Sequence, residues 1–479
     1  DYLVPNRFEF GYGLTPEIVA VAADQRPDLI ITVDNGISSI EGVDAAHQHG
    51  IKVVVTDHHL PGQRLPDADA IVNPNQPGCG FASKSIAGVG VAFYLMLAVR
   101  VELRQRTWFG DSHPEPNMAE LLDLVALGTV ADVLPLDENN RIMVEQGIRI
   151  IRSGKTRAGI WAMFQVAGWE LKACTSADFG YFVGPRLNAA GRLEDMSAGV
   201  ECLITDSASV AETIAVELNR LNIQRKQIEQ GMLGQALDAL DTLLATLESD
   251  QLQAGLCLYN RDWHQGVVGL LASRIKERFH RPVIAFANAN DEEGCDEIKG
   301  SARSIQGLHI RDVLDTIATR HPGLILKFGG HAMAAGLSLN RENFEAFRQA
   351  FEHEVAALLS ADELEEVVET DGSIEPDLMS LETAEVIESA GPWGQQFPEP
   401  VFDNQFEILN WKIVGEKHLK MQLRQDNGGK TVDAIAFNTV ADDLPSSDKV
   451  HLAYRMNVNE FRSIRNLQLI VDCMSAPSQ

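Results

Sequence analysis

Short apolar runs alternate with helix-like periodicity over the first 200 residues. The runs LIITV, KVVVT and AIVNP, at 29–33, 52–56 and 70–74, are apolar at successive positions, which is typical of strands buried on both faces. Between the first two runs, SSIEGVDAAHQHG has helical apolar spacing and a closing glycine. Strand, helix and strand in this order predict a parallel sheet. VDNG could also form a hairpin turn, but the helical crossover that follows it favours the parallel arrangement.

The remaining pattern predicts three further parts. Residues 85–170 are mainly helical, and a long periodic stretch at 207–247 predicts one helix that connects two domains. A second α/β unit follows, with strands GLCLYN and PVIAFA and a glycine turn at FGGH, and the tail has the alternating runs of a small closed β-barrel. We therefore predict an α/β fold with four parts: a parallel-sheet domain (1–206), a connecting helix (207–250), a second α/β domain (251–360), and an acidic linker with a barrel (361–479).

Charge and composition narrow the function classes. The net charge of −28 disfavours nonspecific nucleic-acid binding, which needs clustered Lys and Arg. However, no Lys or Arg lies between Arg348 and Lys412, so much of the negative charge is concentrated there and a basic groove can exist elsewhere. The sequence shows neither a secretory signal nor a long apolar run, and its six cysteines form no CxxC pair. This composition predicts a protein of the reducing cytoplasm with no membrane partner.

Titratable side chains stand where two predicted strands end. Asp34 follows one strand, Asp57, His58 and His59 follow the next, and Asp132 lies where an apolar helix gives way to a turn. Each has a simpler interpretation as a turn, cap or core residue, but ligands of open α/β sheets bind beyond the carboxyl ends of the strands. Carboxylates with imidazole and no thiolate suit Mn²⁺ or Mg²⁺ ahead of Zn²⁺. Two such ions would promote hydrolysis of a phosphate ester.

The second α/β unit contains residues suited to bind anions. His264 precedes a helix whose N-terminal amides could bind a phosphate, and Gly329 and Gly330 would allow the backbone to approach a ligand closely. The segment FVGPRLNAAGRL, in which glycines lie between polar residues, adds Arg186 and Asn188, although a surface turn would explain this segment equally well. The predicted substrate-binding residues are Arg186, Asn188, His264, Ser301, Arg303, Gly329, Gly330 and His331.

The ordered motifs VDNG, TDHH, GTVADVLPL, GPRLNAAGR, WHQGVVG, GSARS and FGGHAMAAG resemble the DHH phosphoesterase superfamily with its DHHA1 partner domain. With the tail NEFRSIRNLQLIVD, the chain resembles the RecJ family of exonucleases, which degrade single-stranded DNA 5′→3′ to 5′-mononucleotides in repair and recombination. The resemblance implies a two-metal site with Asp34, His58 and Asp132 as ligands. It implies that Asp57, His58, His59 and Asp132 are catalytic, with Asp57 and His59 supporting catalysis or contacting phosphate. It also implies an OB fold for the tail, a monomer, and a helicase and single-strand-binding protein as partners.

The same resemblance implies a further DxD motif on a strand before Tyr2, so we expect this chain to be an impaired fragment. Phe10 stands where the family usually has an acid, and its effect is open. Two alternatives remain open from the sequence. One is a noncatalytic DNA-binding or scaffold relative. The other is a short-oligonucleotide phosphodiesterase of the same superfamily, which usually lacks the long connector and the barrel.

Overall fold

The computed structural model describes residues 2–4, 10, 13–246, 253–289, 296–360, 362–415, 418–425, 430–437, 439, 448–461 and 464–476. The chain forms two compact units. The first comprises residues 1–185, 199–215 and 368–479, and the second comprises residues 186–198 and 216–367. No helix among the described residues is both long enough and apolar enough to cross a membrane.

The first unit begins with a small parallel sheet in the order β1-β2-β3, so the crossover prediction for VDNG is confirmed. Apolar side chains of two helices pack on one face of this sheet, around Val43, Val53 and Val55. Thr15 caps the first helix by accepting a hydrogen bond from the Ile18 amide. The elements are α1 (Pro16–Ala23), β1 (Leu29–Val33), α2 (Ile40–Gln48), β2 (Lys52–Thr56) and β3 (Ala70–Val72).

A helical layer follows the sheet, as the sequence predicts. Asp137 caps one of these helices by accepting a hydrogen bond from the Asn140 amide, and an amphipathic face buries Met143, Val144 and Ile148. A π-helix spans Phe179–Val183 just before the chain passes into the second unit. The helices are α3 (Gly88–Gln105), α4 (Leu122–Ala131), α5 (Glu138–Arg152), α6 (Ala158–Ala167), α7 (Ser176–Asp178), α8 (Gly184–Leu193) and α9 (Ser197–Ile204).

The predicted connecting helix is confirmed as α10 (Ala208–Thr246), a 39-residue helix that starts in the first unit and continues in the second. The second unit holds a five-stranded sheet in the order β4-β5-β6-β8-β7, in which only β4 and β5 pair in parallel. Its elements are β4 (Leu256–Tyr259), α11 (Val268–Phe279), β5 (Val283–Asn288), β6 (Glu297–Arg303), α12 (Ile310–Arg320), β7 (Lys327–Gly330), β8 (Ala334–Asn340) and α13 (Phe344–Leu358).

The tail of the chain forms the predicted closed barrel, in the order β10-β11-β13-β12-β9. Alternate positions point inward, so that Leu419, Met421 and Leu423 of one strand enter a core that also contains Tyr454. A short helix packs against this core through Ala384 and Ile387. The elements are α14 (Leu381–Ala390), β9 (Phe402–Val414), β10 (His418–Gln425), β11 (Val432–Phe437), β12 (Lys449–Phe461) and β13 (Ile464–Ser475).

Two local expectations are wrong. The run LIITV was expected to be buried on both faces, but Leu29, Ile31 and Val33 are 43%, 51% and 60% exposed. The reason is that β1 is an edge strand of the described sheet, where helices cover one face. The glycines of FGGH were expected in a turn, yet Gly329 and Gly330 pair with Gly336 and Ala335 as the last residues of β7.

Candidate active site

Strand register brings the predicted residues to one edge of the parallel sheet. Val33 pairs with Thr56, and Thr56 pairs with Val72. The next residue on each strand is therefore a polar one at the same level: Asp34, Asp57 and Asn73.

Asp34 adopts a left-handed backbone conformation with φ of 67°, which Asp and Asn tolerate better than most residues. Its amide donates to the Thr56 carbonyl at 3.0 Å, so the turn is anchored to the neighbouring strand. Its side chain lies against the first turn of α3, where a Cβ on Gly88 would come within 2.6 Å of Asp34 Cβ and Cγ. A residue without a side chain is therefore required at Gly88 to leave the carboxylate in place.

His58 joins two carboxylates that are far apart in sequence. Its Nε2 lies 2.9 Å from Asp34 Oδ1 and 3.4 Å from Asp132 Oδ2. The imidazole is largely buried, whereas both carboxylates are about half exposed. A ligand atom of His59 also lies within 4.8 Å of ligand atoms of Asp34 and His58. The structure thus brings the three predicted metal ligands together, with His59 beside them.

Asp132 occupies a position that is unfavourable for an acid. It is the C-cap of α4, where the helix dipole presents negative charge. It also faces a second carboxylate across one imidazole nitrogen that can donate only a single proton. A cation between these groups would relieve both repulsions, and oxygen ligands with one imidazole nitrogen suit Mn²⁺ or Mg²⁺. The donor set therefore fits a divalent metal ion.

Asp57 holds His58 and His59 in place through hydrogen bonds. It is 1% exposed and accepts hydrogen bonds from the Ile37 amide at 2.9 Å, the His58 amide at 2.7 Å and His59 Nδ1 at 2.7 Å. Burial raises the pKa of Asp57, but the hydrogen bonds from His59 and Ile37 outweigh it and lower the pKa to about 2. The bond to Asp57 in turn raises the pKa of His59. Asp57 is thus an ionised support that orients both histidines.

Two asparagines that sequence reasoning missed complete the support. Asn73 Nδ2 donates to the His59 carbonyl at 2.9 Å, and Asn75 Nδ2 donates to the His58 carbonyl at 2.6 Å. Both follow β3, so the run AIVNPN carried a usable signal: a third strand end with polar residues. The contact between Gly88 and Asp34 had no such signal, because it depends on how α3 packs.

Alanine at Gly88 is expected to displace Asp34 and to raise the metal concentration needed for activity by roughly tenfold, the lower end of typical losses for residues that orient metal ligands. Because the Asp34 side chain is half exposed, it can move aside and the melting temperature should change little. The matched control is Gly231→Ala in α10, where a Cβ has open space. A metal titration of activity and a thermal melt of each variant check this; equal titrations would contradict the assigned contact.

The second unit presents a separate polar cluster. Arg303 Nη1 donates to Ser301 Oγ at 3.0 Å and to the Ala302 carbonyl at 2.7 Å. A Cβ on Gly269 would lie 2.8 Å from Arg303 Nη2 and 2.9 Å from Ser301 Oγ, so both side chains reach the first turn of α11. Burial lowers the pKa of Arg303, which means that its charge is poorly hydrated. A hydroxyl, a guanidinium and a helix N-terminus at one place suit a phosphate.

The other predicted substrate-binding residues lie in the same unit. Gly329 aligns with Gly336 and, through it, with Ser301, while Gly330 ends β7 and His331 follows it in the turn into β8. The Gly266 amide donates to His264 Nδ1 at 3.1 Å. Arg186 is buried and donates to Asn219 Oδ1 at 3.1 Å, and burial lowers its pKa. Asn188 is exposed. The structure thus aligns Ser301 with Gly329 across β8, while Arg303 lies one register position beyond Gly330, and it places Arg186 beside α10.

Comparison with known proteins gives consistent matches along the chain. Three family models match: the DHH family N-terminal domain over residues 1–129, the DHHA1 domain over 252–357 and the RecJ OB domain over 370–472. The single-stranded-DNA-specific exonuclease RecJ of Dickeya dadantii is 55% identical over 475 residues, which are 98% of this chain and 81% of that relative. The protein of the same name from Escherichia coli is 55% identical over 477 residues, with the same shares covered.

Solved structures give the same relationship. RecJ from Thermus thermophilus in complex with Mn²⁺ is 28% identical, with a TM-score of 0.78 over 97% of this chain and 64% of that chain. The same protein in complex with Mg²⁺ is 26% identical, with a TM-score of 0.71 over 94% of this chain and 62% of that chain. This chain therefore spans less than two thirds of those solved relatives.

Proposed function

Because the chain belongs to the RecJ family of single-stranded-DNA-specific exonucleases, we propose that it hydrolyses single-stranded DNA 5′→3′ to 5′-mononucleotides with Mn²⁺ or Mg²⁺. The observation that carries the proposal is the convergence of Asp34 and Asp132 on one nitrogen of His58. Asp34, His58 and Asp132 would hold the metal. A divalent ion bound there supplies Lewis-acid polarisation of the phosphate and a water of lowered pKa.

The other predicted site residues orient the histidines or bind phosphates of the substrate. Asp57 holds His59 by its Nδ1, which directs the rest of the ring outward, where it can donate a hydrogen bond to a phosphate oxygen. The raised pKa of His59 favours its protonated, donating form. In the second unit, Ser301 and Arg303 would bind a phosphate of single-stranded DNA. Arg186, Asn188, His264 and His331 would contact the DNA backbone, and Gly329 and Gly330 would allow its close approach.

The barrel offers a surface suited to single strands. Trp411 of β9 and Phe437 of β11 are 45% and 51% exposed, on the two strands that flank β10. Lys412 and Lys420 are register partners on β9 and β10, on the face that also carries Phe437, whereas Trp411 pairs with Met421 and lies on the other face of β9. Lys420 Nζ also lies 3.0 Å from Asp433. Exposed aromatic rings stack on bases and lysines neutralise backbone phosphates, which is how OB folds hold single strands without sequence preference.

Alanine at Trp411 is expected to weaken binding of single-stranded DNA by roughly tenfold, since one base–aromatic stack contributes ~1–3 kcal/mol. Hydrolysis of a dinucleotide, whose single phosphodiester would occupy the metal site, should be unchanged. Trp108→Ala is the matched control, because Trp108 is 57% exposed in the first domain. Fluorescence anisotropy of a labelled oligonucleotide measures the affinity. An unaltered affinity for Trp411→Ala would show that this barrel surface does not bind single-stranded DNA.

Strand and length selectivity tests the proposal itself. The chain is incubated with Mn²⁺ and a long single strand, the same sequence as a blunt duplex, and oligonucleotides of two to five nucleotides. Degradation of the long single strand with the duplex intact is expected. Degradation of the shortest oligonucleotides alone would instead indicate a short-oligonucleotide phosphodiesterase, and degradation of the duplex at an equal rate would overturn the assigned substrate.

A further inference from the structure

The turn that carries Asp132 contains an unusual residue. The Val133 amide donates to the Val130 carbonyl at 3.0 Å and the Leu134 amide donates to the Thr129 carbonyl at 3.3 Å, the two hydrogen bonds of a Schellman helix end. Glycine normally occupies the left-handed position of this motif, but here Val133 does, with φ of 55° and 66% exposure. A β-branched residue in this conformation is strained, so the turn needs support from its surroundings.

Part of that support comes from a distant segment of the first unit. The backbone of Leu136, four residues after Asp132, donates to the Gln395 carbonyl at 2.8 Å. A Cβ on Gly394 would lie 2.7 Å from Leu136 Cδ1, so the two segments are in close contact. We call residues 393–397 the strap. Two backbone hydrogen bonds close the strap: the amides of Gly394 and Phe397 donate to each other's carbonyls at 2.9 and 3.0 Å.

The strap is itself anchored on both sides. Ser176 Oγ donates to the Trp393 carbonyl at 2.6 Å, and the guanidinium of Arg141 lies 4.1 Å from the centre of the Phe397 ring. The Trp393 ring stacks on Phe397, donates through Nε1 to the Ile387 carbonyl at 3.0 Å, and packs against the core of the barrel. A continuous set of contacts therefore runs from the barrel to the turn that presents Asp132.

We propose that the strap is a positioning element for the metal site: its contacts with Leu136 hold the strained turn at Val133, and so hold Asp132 toward His58. Gly394 and Gln395 act through this turn and touch neither metal nor substrate. The inference rests on the proposed metal site. It implies that the barrel and the metal site are linked within the first unit, so that a change in the strap alters metal affinity in the absence of DNA.

The test is Mn²⁺ binding to the protein without DNA, followed by the electron paramagnetic resonance signal of free Mn²⁺, together with the melting temperature. Gly394→Ala should raise the Mn²⁺ dissociation constant by roughly tenfold, as residues that orient metal ligands do. Gly110→Ala, at an exposed glycine of the same unit with open space, should leave it unchanged. Val133→Gly removes the strain, so the double variant Val133→Gly with Gly394→Ala should recover most of the affinity.

Each outcome has a defined meaning. If the unaltered chain binds no Mn²⁺, or if Asp132→Asn leaves binding unchanged, the proposed metal site fails. If the unaltered chain binds Mn²⁺ and Gly394→Ala binds it equally well, the strap has no positioning role although the metal site stands. If Gly394→Ala does not fold, Ser176→Ala decides in the same assay: a several-fold weaker affinity supports the inference, and an equal affinity overturns it.

Discussion

Asparagine at Asp34 is expected to lower the rate of Mn²⁺-dependent digestion of single-stranded DNA by roughly 100- to 1000-fold, because a metal ion supplies several kcal/mol of transition-state stabilisation and each 1.36 kcal/mol is tenfold in rate. Asparagine tolerates the left-handed backbone of this position and has nearly the same shape, so the change removes mainly the charge. Initial rates of nucleotide release at saturating DNA measure the effect.

The matched control for this substitution is Asp69→Asn. Asp69 also pairs with a histidine of the same domain, with His47 Nε2 at 3.2 Å, and it accepts a hydrogen bond from the Val53 amide. It lies outside the converging set of Asp34, His58 and Asp132, so its loss should leave the rate within about twofold of the unaltered chain, as is usual for surface changes. Equal losses for the two variants would show that Asp34 acts on stability and not on the metal site.

Methionine at Arg303 is expected to lower kcat/KM for single strands with a 5′-phosphate by roughly 100-fold, because loss of a poorly hydrated charge from an ionic contact costs ~2–5 kcal/mol. The reason lies in the site: the guanidinium is poorly hydrated, bonds to Ser301 and reaches the first turn of α11. The matched control is Arg311→Met on the exposed surface of α12. Rates on 5′-phosphorylated and 5′-hydroxyl strands separate the phosphate contact from general effects, and an unchanged ratio between them would contradict it.

The parallel sheet, the connecting helix and the barrel could be predicted from the sequence because each follows from local periodicity. The local sequence alone indicates these elements: apolar runs of five residues, a 39-residue stretch of helical periodicity, and alternating strands in the tail. The second sheet was harder: β6 and β7 contain Gly300, Gly329 and Gly330, which weaken a strand signal. Pairing with β8 supplies the stability that the local sequence lacks.

For the site, the sequence predicted which residues converge but not what holds them. Asp34 and His58 stand at neighbouring strand ends, so their proximity follows from sheet topology. The supporting contacts are tertiary: Gly88 depends on the packing of α3, and the strained turn at Val133 depends on residues about 260 positions away in the chain. No local pattern contains such information.

The measurement that tests the central claim most directly is release of label from single-stranded DNA marked at its 5′ or its 3′ end, by this chain with Mn²⁺ and by its Asp132→Asn variant. The account predicts early release of the 5′ label as mononucleotide, delayed release of the 3′ label, and loss of both with Asp132→Asn. Early release of the 3′ label, or an undiminished rate in the variant, would contradict it.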